Sequence, residues 1–213
     1  GKLSHEIRTP LAIVSSSLDN FEASRDEQEE ARCLARARGG LDRLDRILSL
    51  MAQASSFEQL LDEMELEEYA PVPVLTELVQ AYKAGYSAAE VSLQCNGCEL
   101  TDLAWGSPDL LVQALDKLVD NAVDFATGEI RICLNLDENN WNLLVENEGP
   151  VLPPQMQHNL FDALVSVRPK GQQQVHLGFG LQMVQRIAAK WGGAVTASNL
   201  PDGSGVCFCL QIP

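Results

Sequence analysis

The sequence predicts an α+β protein in which a helical hairpin precedes an α/β sandwich. In the first sixty or so residues, apolar side chains recur at alternating steps of three and four, which indicates paired helices. After them, helix and strand patterns are mixed, and the hydrophobic content of 46% is enough for a packed core. We therefore expect two domains, residues 1–63 and residues 64–213.

Two apolar seams define the hairpin. The first comprises Ile7, Leu11, Val14, Leu18 and Phe21, and the second comprises Leu34, Ala37, Leu41, Leu44, Leu48 and Met51. This heptad spacing is typical of helices that pack along a narrow stripe. Because one hairpin cannot bury both stripes well alone, we expect a homodimer whose hairpins form a four-helix bundle.

The second domain is expected to open near residues 65–69, just before a break at Pro71-Val72-Pro73. Helices are predicted over residues 74–86, 107–125 and 180–190, and strands over residues 91–95, 129–136, 141–146, 194–198 and 206–212. Ser107 is a favourable N-cap with Pro108 in the first turn. Residues 149–177 predict a long loop, and the helices should cover one face of a mixed sheet.

Charge and cysteine usage exclude several classes of partner. The formal net charge of −15 repels nucleic acid and anionic lipid, so we expect neither as a partner. No apolar run approaches the ~20 residues that cross a bilayer. The six cysteines fit a reducing compartment. Cys95 and Cys98 supply only two zinc ligands, and Asn96-Gly97 between them predicts a hairpin turn in preference to a metal or redox site.

His5 lies in Ser4-His5-Glu6-Ile7-Arg8-Thr9-Pro10-Leu11, on the first predicted helix. A phosphoryl acceptor needs a neutral imidazole nitrogen in solvent and an acceptor that holds the other nitrogen. Glu6 is long enough to be that acceptor, and Thr9 shares a helix face with His5. Pro10 lacks an N–H and favours a bend beside His5. A surface histidine near a helix start is the alternative interpretation.

This octapeptide resembles the H box of sensor histidine kinases with a dimerisation and histidine-phosphotransfer domain. Four further segments resemble that family's remaining boxes in order: residues 116–125 the N box, 145–153 the G1 box, 160–162 the F box and 176–181 the G2 box. The resemblance implies a Bergerat-type ATP-binding fold, shared with gyrase and certain chaperones. It also implies ATP and Mg²⁺ as cofactors, autophosphorylation of His5, and phosphotransfer to an aspartate of a response-regulator receiver domain.

The same resemblance implies roles for the residues near His5 and a cellular location. Glu6 would assist proton removal from His5, and Thr9 implies an additional regulator phosphatase activity. We expect the chain to be the cytoplasmic portion of an inner-membrane sensor protein, attached to the membrane only through segments outside this chain. Residues 160–168 and 176–181 also resemble a proteobacterial kinase subgroup associated with dedicated sortase systems.

The N box departs from the family pattern at two positions. Asn121 matches the asparagine that helps hold Mg²⁺ and the phosphates, but Lys117 replaces a usual asparagine and Asp124 replaces a usual lysine or arginine. Residues 117, 121 and 124 recur on one helix face. The hypothesis is a charge exchange, in which Lys117 meets phosphate and Asp124 offers the metal an oxygen. Erosion of the metal site is the alternative.

The G1 and G2 boxes are altered as well. Asn147 falls on the aspartate that reads adenine; its oxygen can accept from the adenine amino group, or its nitrogen can donate and relax base selectivity. Val151 and His176 each replace a glycine, while Gly178 and Gly180 can still present N–H groups at a helix N-terminus. The remaining expected nucleotide-binding residues are Phe125, Gly149, Phe161, Arg168 and Leu181.

Two alternatives to a working kinase stay open from the sequence. A degenerate kinase that acts mainly as a regulator phosphatase is supported by the altered positions in the N, G1 and G2 boxes. A non-catalytic dimeric interaction module would retain the hairpin and a vestigial nucleotide fold. Nucleotide binding without labelling of His5 would indicate the first, and failure to bind any nucleotide would indicate the second.

Overall fold

The computed structural model describes residues 2–86, 90–137, 140–154, 156, 160–161 and 179–212. The chain divides into two compact units, Gly1–Gln59 and Leu60–Pro213. No helix within the described ranges is both long and apolar enough to traverse a bilayer.

The first unit is a helical hairpin of α1 (Lys2–Ala23) and the greater part of α2 (Glu27–Glu63). Asp26 caps α2, because its carboxylate oxygen Oδ1 accepts the N–H of Gln28 at 3.2 Å. Glutamates in the first turn of α2 are favoured by the partial positive charge of the helix start. The helix therefore begins well before its first predicted apolar residue.

The buried side chains of the hairpin lie mostly outside the predicted seams. They include Pro10 and Ser17 of α1 and Cys33, Ala37 and Ile47 of α2, and of these five only Ala37 belongs to a predicted seam. Six predicted seam residues remain exposed: Leu11, Leu18, Leu34, Leu41, Leu48 and Met51, between 40% and 61%. Most of the predicted seam thus forms a second apolar stripe on the outside of the hairpin.

The second unit contains a small ribbon, a five-stranded sheet and three helices. In chain order they are β1 (Glu67–Tyr69), α3 (Pro71–Gly85), β2 (Val91–Asn96), β3 (Ala104–Gly106), α4 (Pro108–Phe125), β4 (Ile130–Asp137), β5 (Asn140–Glu148), α5 (Phe179–Lys190), β6 (Ala194–Asn199) and β7 (Gly205–Ile212). The sheet order is β2-β4-β5-β7-β6, and β1 pairs with β3. Only β2 and β4 run parallel among these pairs, which confirms the mixed sheet.

One face of the sheet carries the core. Along β4, Ile130, Ile132 and Leu134 are buried, whereas Arg131 and Cys133 between them are partly exposed. Helices α3, α4 and α5 all contact the sheet, as the alternation along its strands requires. Ser107 caps α4 as predicted, since its hydroxyl accepts the N–H of Leu110 at 3.3 Å.

Two local predictions were wrong. Helix α3 begins at Pro71 instead of after the proline pair, because proline suits a first helical turn, where its missing N–H has no partner to lose. The Asn96-Gly97 pair makes no hairpin: Gly97 adopts a positive φ of 69°, but β2 pairs with β4, and the next strand, β3, pairs with β1. A positive φ at Gly97 turns the chain without fixing which strand it meets.

Two tyrosine–aspartate hydrogen bonds join α3 to α4. The hydroxyl of Tyr82 donates to Asp116 Oδ1 at 2.6 Å, and that of Tyr86 donates to Asp120 Oδ1 at 2.7 Å. Burial, and then the bond to Asp116, raises the pKa of Tyr82. The bond to Asp120 and partial burial raise the pKa of Tyr86 to about 12. The two helices are thus joined at matching positions, one helical turn apart on each.

Candidate functional site

His5 lies on the exposed surface of α1 in a shallow groove. The groove is lined by His5, Arg8, Thr9, Ala12, Ile13 and Ser16. Thr9 is close to His5 because the two are one turn apart, and its hydroxyl donates to the main-chain oxygen of His5 at 3.0 Å. Pro10 lies inside α1, which continues to Ala23. The groove presents an accessible imidazole beside a hydroxyl and a short apolar strip.

Glu6 does not contact the imidazole in this arrangement. Its carboxylate oxygen Oε2 pairs with Nη2 of Arg43 on α2 at 2.9 Å, and both side chains are partly exposed. The sequence predicted that Glu6 assists His5, whereas the structure pairs its carboxylate with Arg43 on the neighbouring helix. Arg43 carried no signal in the sequence, because an arginine on a polar helix face is common.

Lys117 and Gly180 meet where α4 approaches the start of α5. A side chain added at Gly180 would lie 3.4 Å from Cδ of Lys117, so the lysine stem covers that glycine. The Lys117 ammonium is 3.6 Å from Asp120 Oδ2, and the side chain is 38% exposed. Because the N-terminus of a helix attracts anions, this junction places a cation beside a second positive element.

The C-terminal end of α4 touches the G1 segment. The main-chain oxygen of Phe125 lies so close to Gly149 that any side chain there would collide with it. The N–H of Gly149 donates to the main-chain oxygen of Ser204 at 2.9 Å, in the turn before β7. Gly149 is therefore fixed between the end of α4 and the Gly203-Ser204-Gly205 turn.

Asn147 is buried near the end of β5, and a hydrogen bond to the main chain orients its side-chain amide. Its side-chain nitrogen Nδ2 donates to the main-chain oxygen of Glu148 at 3.4 Å, and the residue is only 2% exposed. Because an amide nitrogen carries two N–H groups, this bond leaves one donor in addition to Oδ1. Both possibilities that the sequence left open, acceptance and donation, therefore remain.

Asn199 holds the chain near the end of the G1 segment, and no sequence pattern pointed to it. Its Oδ1 accepts the N–H of Leu152 at 2.7 Å, and its Nδ2 donates to the oxygen of Leu152 at 3.0 Å. One side chain thus satisfies both main-chain groups of a residue that follows Gly149 by three positions. Asparagine after a strand is a common turn residue, so no sequence signal distinguished it.

The remaining predicted residues are distributed around this framework. Asn121 and Phe125 are partly buried on α4, Asp124 is exposed, and Leu181 is buried at the start of α5. Phe161 is buried and packs edge-on against Phe208 of β7, with ring centroids 6.5 Å apart. Arg168 and Gly178 lie outside the described residues.

Metal-binding groups are sparse in the part of the chain that the structure describes. There, no three His, Cys, Asp or Glu side chains are grouped to hold a metal ion. Asn121 offers an amide oxygen, and Mg²⁺ with phosphates needs only one or two protein oxygens. Asp116 and Asp120 already accept from tyrosines. The residues therefore fit a Mg²⁺ that is held mainly by a polyphosphate and by Asn121.

The thiols show no sign of activation. Burial raises the pKa of Cys95 and of Cys98, and it raises the pKa of Cys207 to about 12. A raised pKa keeps a thiol protonated at neutral pH and lowers its nucleophilicity and its affinity for metals. The candidate functional groups among the described residues are therefore His5 in the first unit and, in the second unit, those beside Lys117 and Phe125 on α4.

Family models match both units. Residues 1–66 match the His Kinase A (phospho-acceptor) domain, and residues 106–213 match the histidine kinase-, DNA gyrase B-, and HSP90-like ATPase. The chain is 28% identical over 208 residues to the sensor protein QseC of Escherichia coli (strain K12) and covers 44% of it. It is 25% identical over 235 residues to the sensor protein ChvG of Rhizobium meliloti (strain 1021) and covers 39% of it. These alignments include 93% and 99% of the chain, which spans less than half the length of either relative.

Solved histidine kinases share the fold. The Acinetobacter baumannii histidine kinase AdeS aligns with a TM-score of 0.60 and 21% identity, over 98% of this chain and 96% of that one. The histidine kinase ThkA in complex with the response regulator protein TrrA aligns with a TM-score of 0.64 and 18% identity, over 100% of this chain and 60% of that one.

Fold and site together define a phosphoacceptor hairpin followed by an ATP-binding domain. The chain belongs to the sensor histidine kinase family, within the histidine kinase-, DNA gyrase B-, and HSP90-like ATPases. The expectation of this family from the ordered boxes is confirmed, although three boxes carry substitutions.

Proposed function

We propose that the chain is the catalytic core of a sensor histidine kinase, which transfers the γ-phosphoryl group of ATP to His5 and then to an aspartate of a response regulator. One observation carries the proposal: α4 contacts Gly149 through Phe125 at its C-terminal end and Gly180 through Lys117 near its middle. These contacts are eight residues apart, or about 12 Å along a helix. An extended nucleotide can thus lie along α4 with its base near Asn147 and its phosphates near Lys117.

The transfer uses groups that the two units supply. The imidazole nitrogen of His5 attacks the γ-phosphorus in line, an N–P bond forms, and the bond to the β-γ bridging oxygen breaks as ADP leaves. Asn121 would hold Mg²⁺, which neutralises charge on the phosphate oxygens when bound. Glu6 would take the imidazole proton after it separates from Arg43. Oδ1 of Asn147 would accept a hydrogen bond from the adenine amino group.

A response regulator is the proposed second substrate. The relevant solved complex pairs ThkA with the response regulator TrrA. In this chain the groove around His5 is open and is lined by hydroxyl groups and apolar side chains. Such a surface suits a receiver domain, which must bring an aspartate to the phosphohistidine. Thr9, one turn from His5, is the candidate for positioning water in regulator dephosphorylation.

A homodimer is the proposed assembly. Leu11 and Leu18 on α1 and Leu34, Leu41 and Leu48 on α2 leave an apolar stripe outside the hairpin. Exposed apolar stripes of this length are stabilised by pairing with an equivalent stripe. Light scattering should give a dimer mass for the parent and a monomer mass for Leu41→Glu; a monomeric parent would contradict the proposal.

The domain limits and the location are proposals of the same kind. We assign residues 1–63 to the dimerisation and phosphotransfer hairpin and residues 64–213 to the catalytic domain, whose compact unit begins slightly earlier, at Leu60. We place the chain in the cytoplasmic portion of an inner-membrane sensor. The resemblance to sortase-associated kinases stays a prediction.

Incubation with γ-labelled ATP and Mg²⁺ tests the kinase directly. The parent should acquire acid-labile, base-stable label, and His5→Gln should acquire none. Label on neither chain, with ATP binding intact, would instead indicate the degenerate regulator phosphatase. Failure to bind nucleotide at all would leave only the dimeric interaction module.

A further inference from the structure

Helix α4 is an unfavourable surface for a polyphosphate except at one position. It carries four aspartates and one lysine, a net charge of −3, in a chain whose formal net charge is −15. Like charges a few ångströms apart repel strongly near a protein surface. A nucleotide that lies along α4 therefore needs a cation at its phosphate end, from the protein or from solution.

Lys117 has the position and the freedom to be that cation. Its stem is fixed against Gly180 at the start of α5, while its ammonium is partly exposed. Asp120 is 3.6 Å from the ammonium but also accepts the hydroxyl of Tyr86 at 2.7 Å, so its charge is shared between two donors. A phosphate oxygen could replace this long ion pair with a shorter one.

We propose that Lys117 neutralises the phosphates well enough for ATP to bind without a divalent metal, so that Mg²⁺ is required for phosphoryl transfer but contributes little to nucleotide affinity. The inference rests on the proposed nucleotide site along α4. It assigns to one side chain the binding role that a metal ion would otherwise have, and leaves Asn121 to orient the metal for the chemical step.

The test compares ATP affinity in Mg²⁺ with affinity in excess EDTA, by calorimetry on the full chain. Lys117→Met keeps the stem over Gly180 and removes the charge, and Lys117→Arg keeps the charge. Lys190→Met is the matched control, since it removes a lysine from the last turn of α5, about 15 Å along the helix from Gly180. Unchanged melting temperatures would show that the variants fold.

The parent should lose less than about threefold in affinity on metal removal, and Lys117→Met should lose about tenfold or more, as expected for a hydrogen bond to a charged group. Lys117→Arg and Lys190→Met should behave as the parent does. A parent that needs Mg²⁺ to bind, or a Lys117→Met variant that binds equally well in EDTA, would overturn the inference and leave the kinase proposal intact. No ATP binding under any condition would overturn both.

Discussion

Glu6 and Arg43 form an ion pair of 2.9 Å between α1 and α2, at the residue next to His5, the proposed phosphoacceptor. The residue next to the nucleophile is therefore held by the opposite helix of the hairpin. If Glu6 assists proton removal, it must first exchange this partner for the imidazole. Breaking the Glu6–Arg43 pair then adds a free-energy cost to the arrangement in which Glu6 contacts the imidazole.

Replacement of Arg43 should accelerate labelling of His5. Exposed pairs contribute up to about 1 kcal/mol, so Arg43→Ala should raise the initial rate about two- to fivefold with little change in stability. Arg46→Ala is the control, because Arg46 Nε bonds only to the main-chain oxygen of Asp42 one turn away within α2. Slower labelling in Arg43→Ala would mean that Arg43 positions Glu6 instead of restraining it.

The charge exchange in the N box predicts a compensated double variant. Lys117→Asn and Asp124→Lys each disturb the charge beside the phosphates, but together they return one cation and one amide to the same helix face. Labelling of His5 by the double variant should be within about threefold of the parent and exceed that of both single variants. A double variant weaker than either single one would exclude the exchange.

Asn147 should set the preference for adenine. Its amide nitrogen donates to the main-chain oxygen of Glu148, and in the proposed nucleotide site its Oδ1 accepts from the adenine amino group. Asn147→Asp replaces this acceptor with a charged one and should tighten ATP binding about tenfold, because charge-assisted bonds are roughly twice as strong. Asn147→Ala should bind ATP and GTP more equally. Competition of both nucleotides against a fluorescent analogue measures the ratio; a constant ratio across the three proteins would contradict this role.

Asn199 should affect the affinity for ATP indirectly, through its hydrogen bonds to Leu152. Asn199→Ala removes both bonds to Leu152 and should weaken ATP binding about three- to tenfold, since each neutral bond contributes about 1 kcal/mol and some of this is recovered by water. Asn199→Asp keeps the acceptor for the Leu152 N–H and should lose less. Ser198→Ala, a neighbouring exposed residue on β6, is the control. Equal affinity in Asn199→Ala and the parent would show that the G1 segment holds its conformation without this contact.

Alkaline pH should destabilise the second unit through the α3–α4 tyrosines. The pKa of Tyr86 is raised from 10.0 to about 12, so the folded state keeps its phenolic proton more tightly than the unfolded state does. This contribution is fully present below pH 10.0 and is lost as the pH rises toward about 12. Melting temperatures should therefore fall more steeply above pH 10 in the parent than in Tyr86→Phe. Parallel curves would refute the linkage.

The sequence predicted the elements with strong periodicity and clear caps, and these are confirmed. Ser107 and Pro108 located the start of α4, and the alternation along β4 and β5 located the sheet. Strands β1 and β3 escaped notice because three residues are too few to show a period. Side-chain partners distant in the chain, such as Arg43 for Glu6 and Leu152 for Asn199, depend on packing that no local pattern specifies.

The order of the boxes indicated the family, but not how its substitutions are accommodated. Lys117 was expected on the phosphate face because of its spacing from Asn121, and only the structure shows its stem over Gly180. The orientation of the Asn147 amide likewise depends on the carbonyl of Glu148. Such details follow from main-chain geometry at the ends of elements, where sequence patterns carry least information.

The hydrogen bonds between α3 and α4 have a translational symmetry. Tyr82 pairs with Asp116 and Tyr86 with Asp120, while a third aspartate, Asp124, follows at the same interval of four. A slide of α3 by one turn would place Tyr82 opposite Asp120 and Tyr86 opposite Asp124, so that tyrosines and aspartates would again face each other. The spacing of the polar side chains alone is therefore compatible with two registers of α3 against α4. The packing of buried side chains such as Leu75 and Leu118 therefore determines which register α3 and α4 adopt.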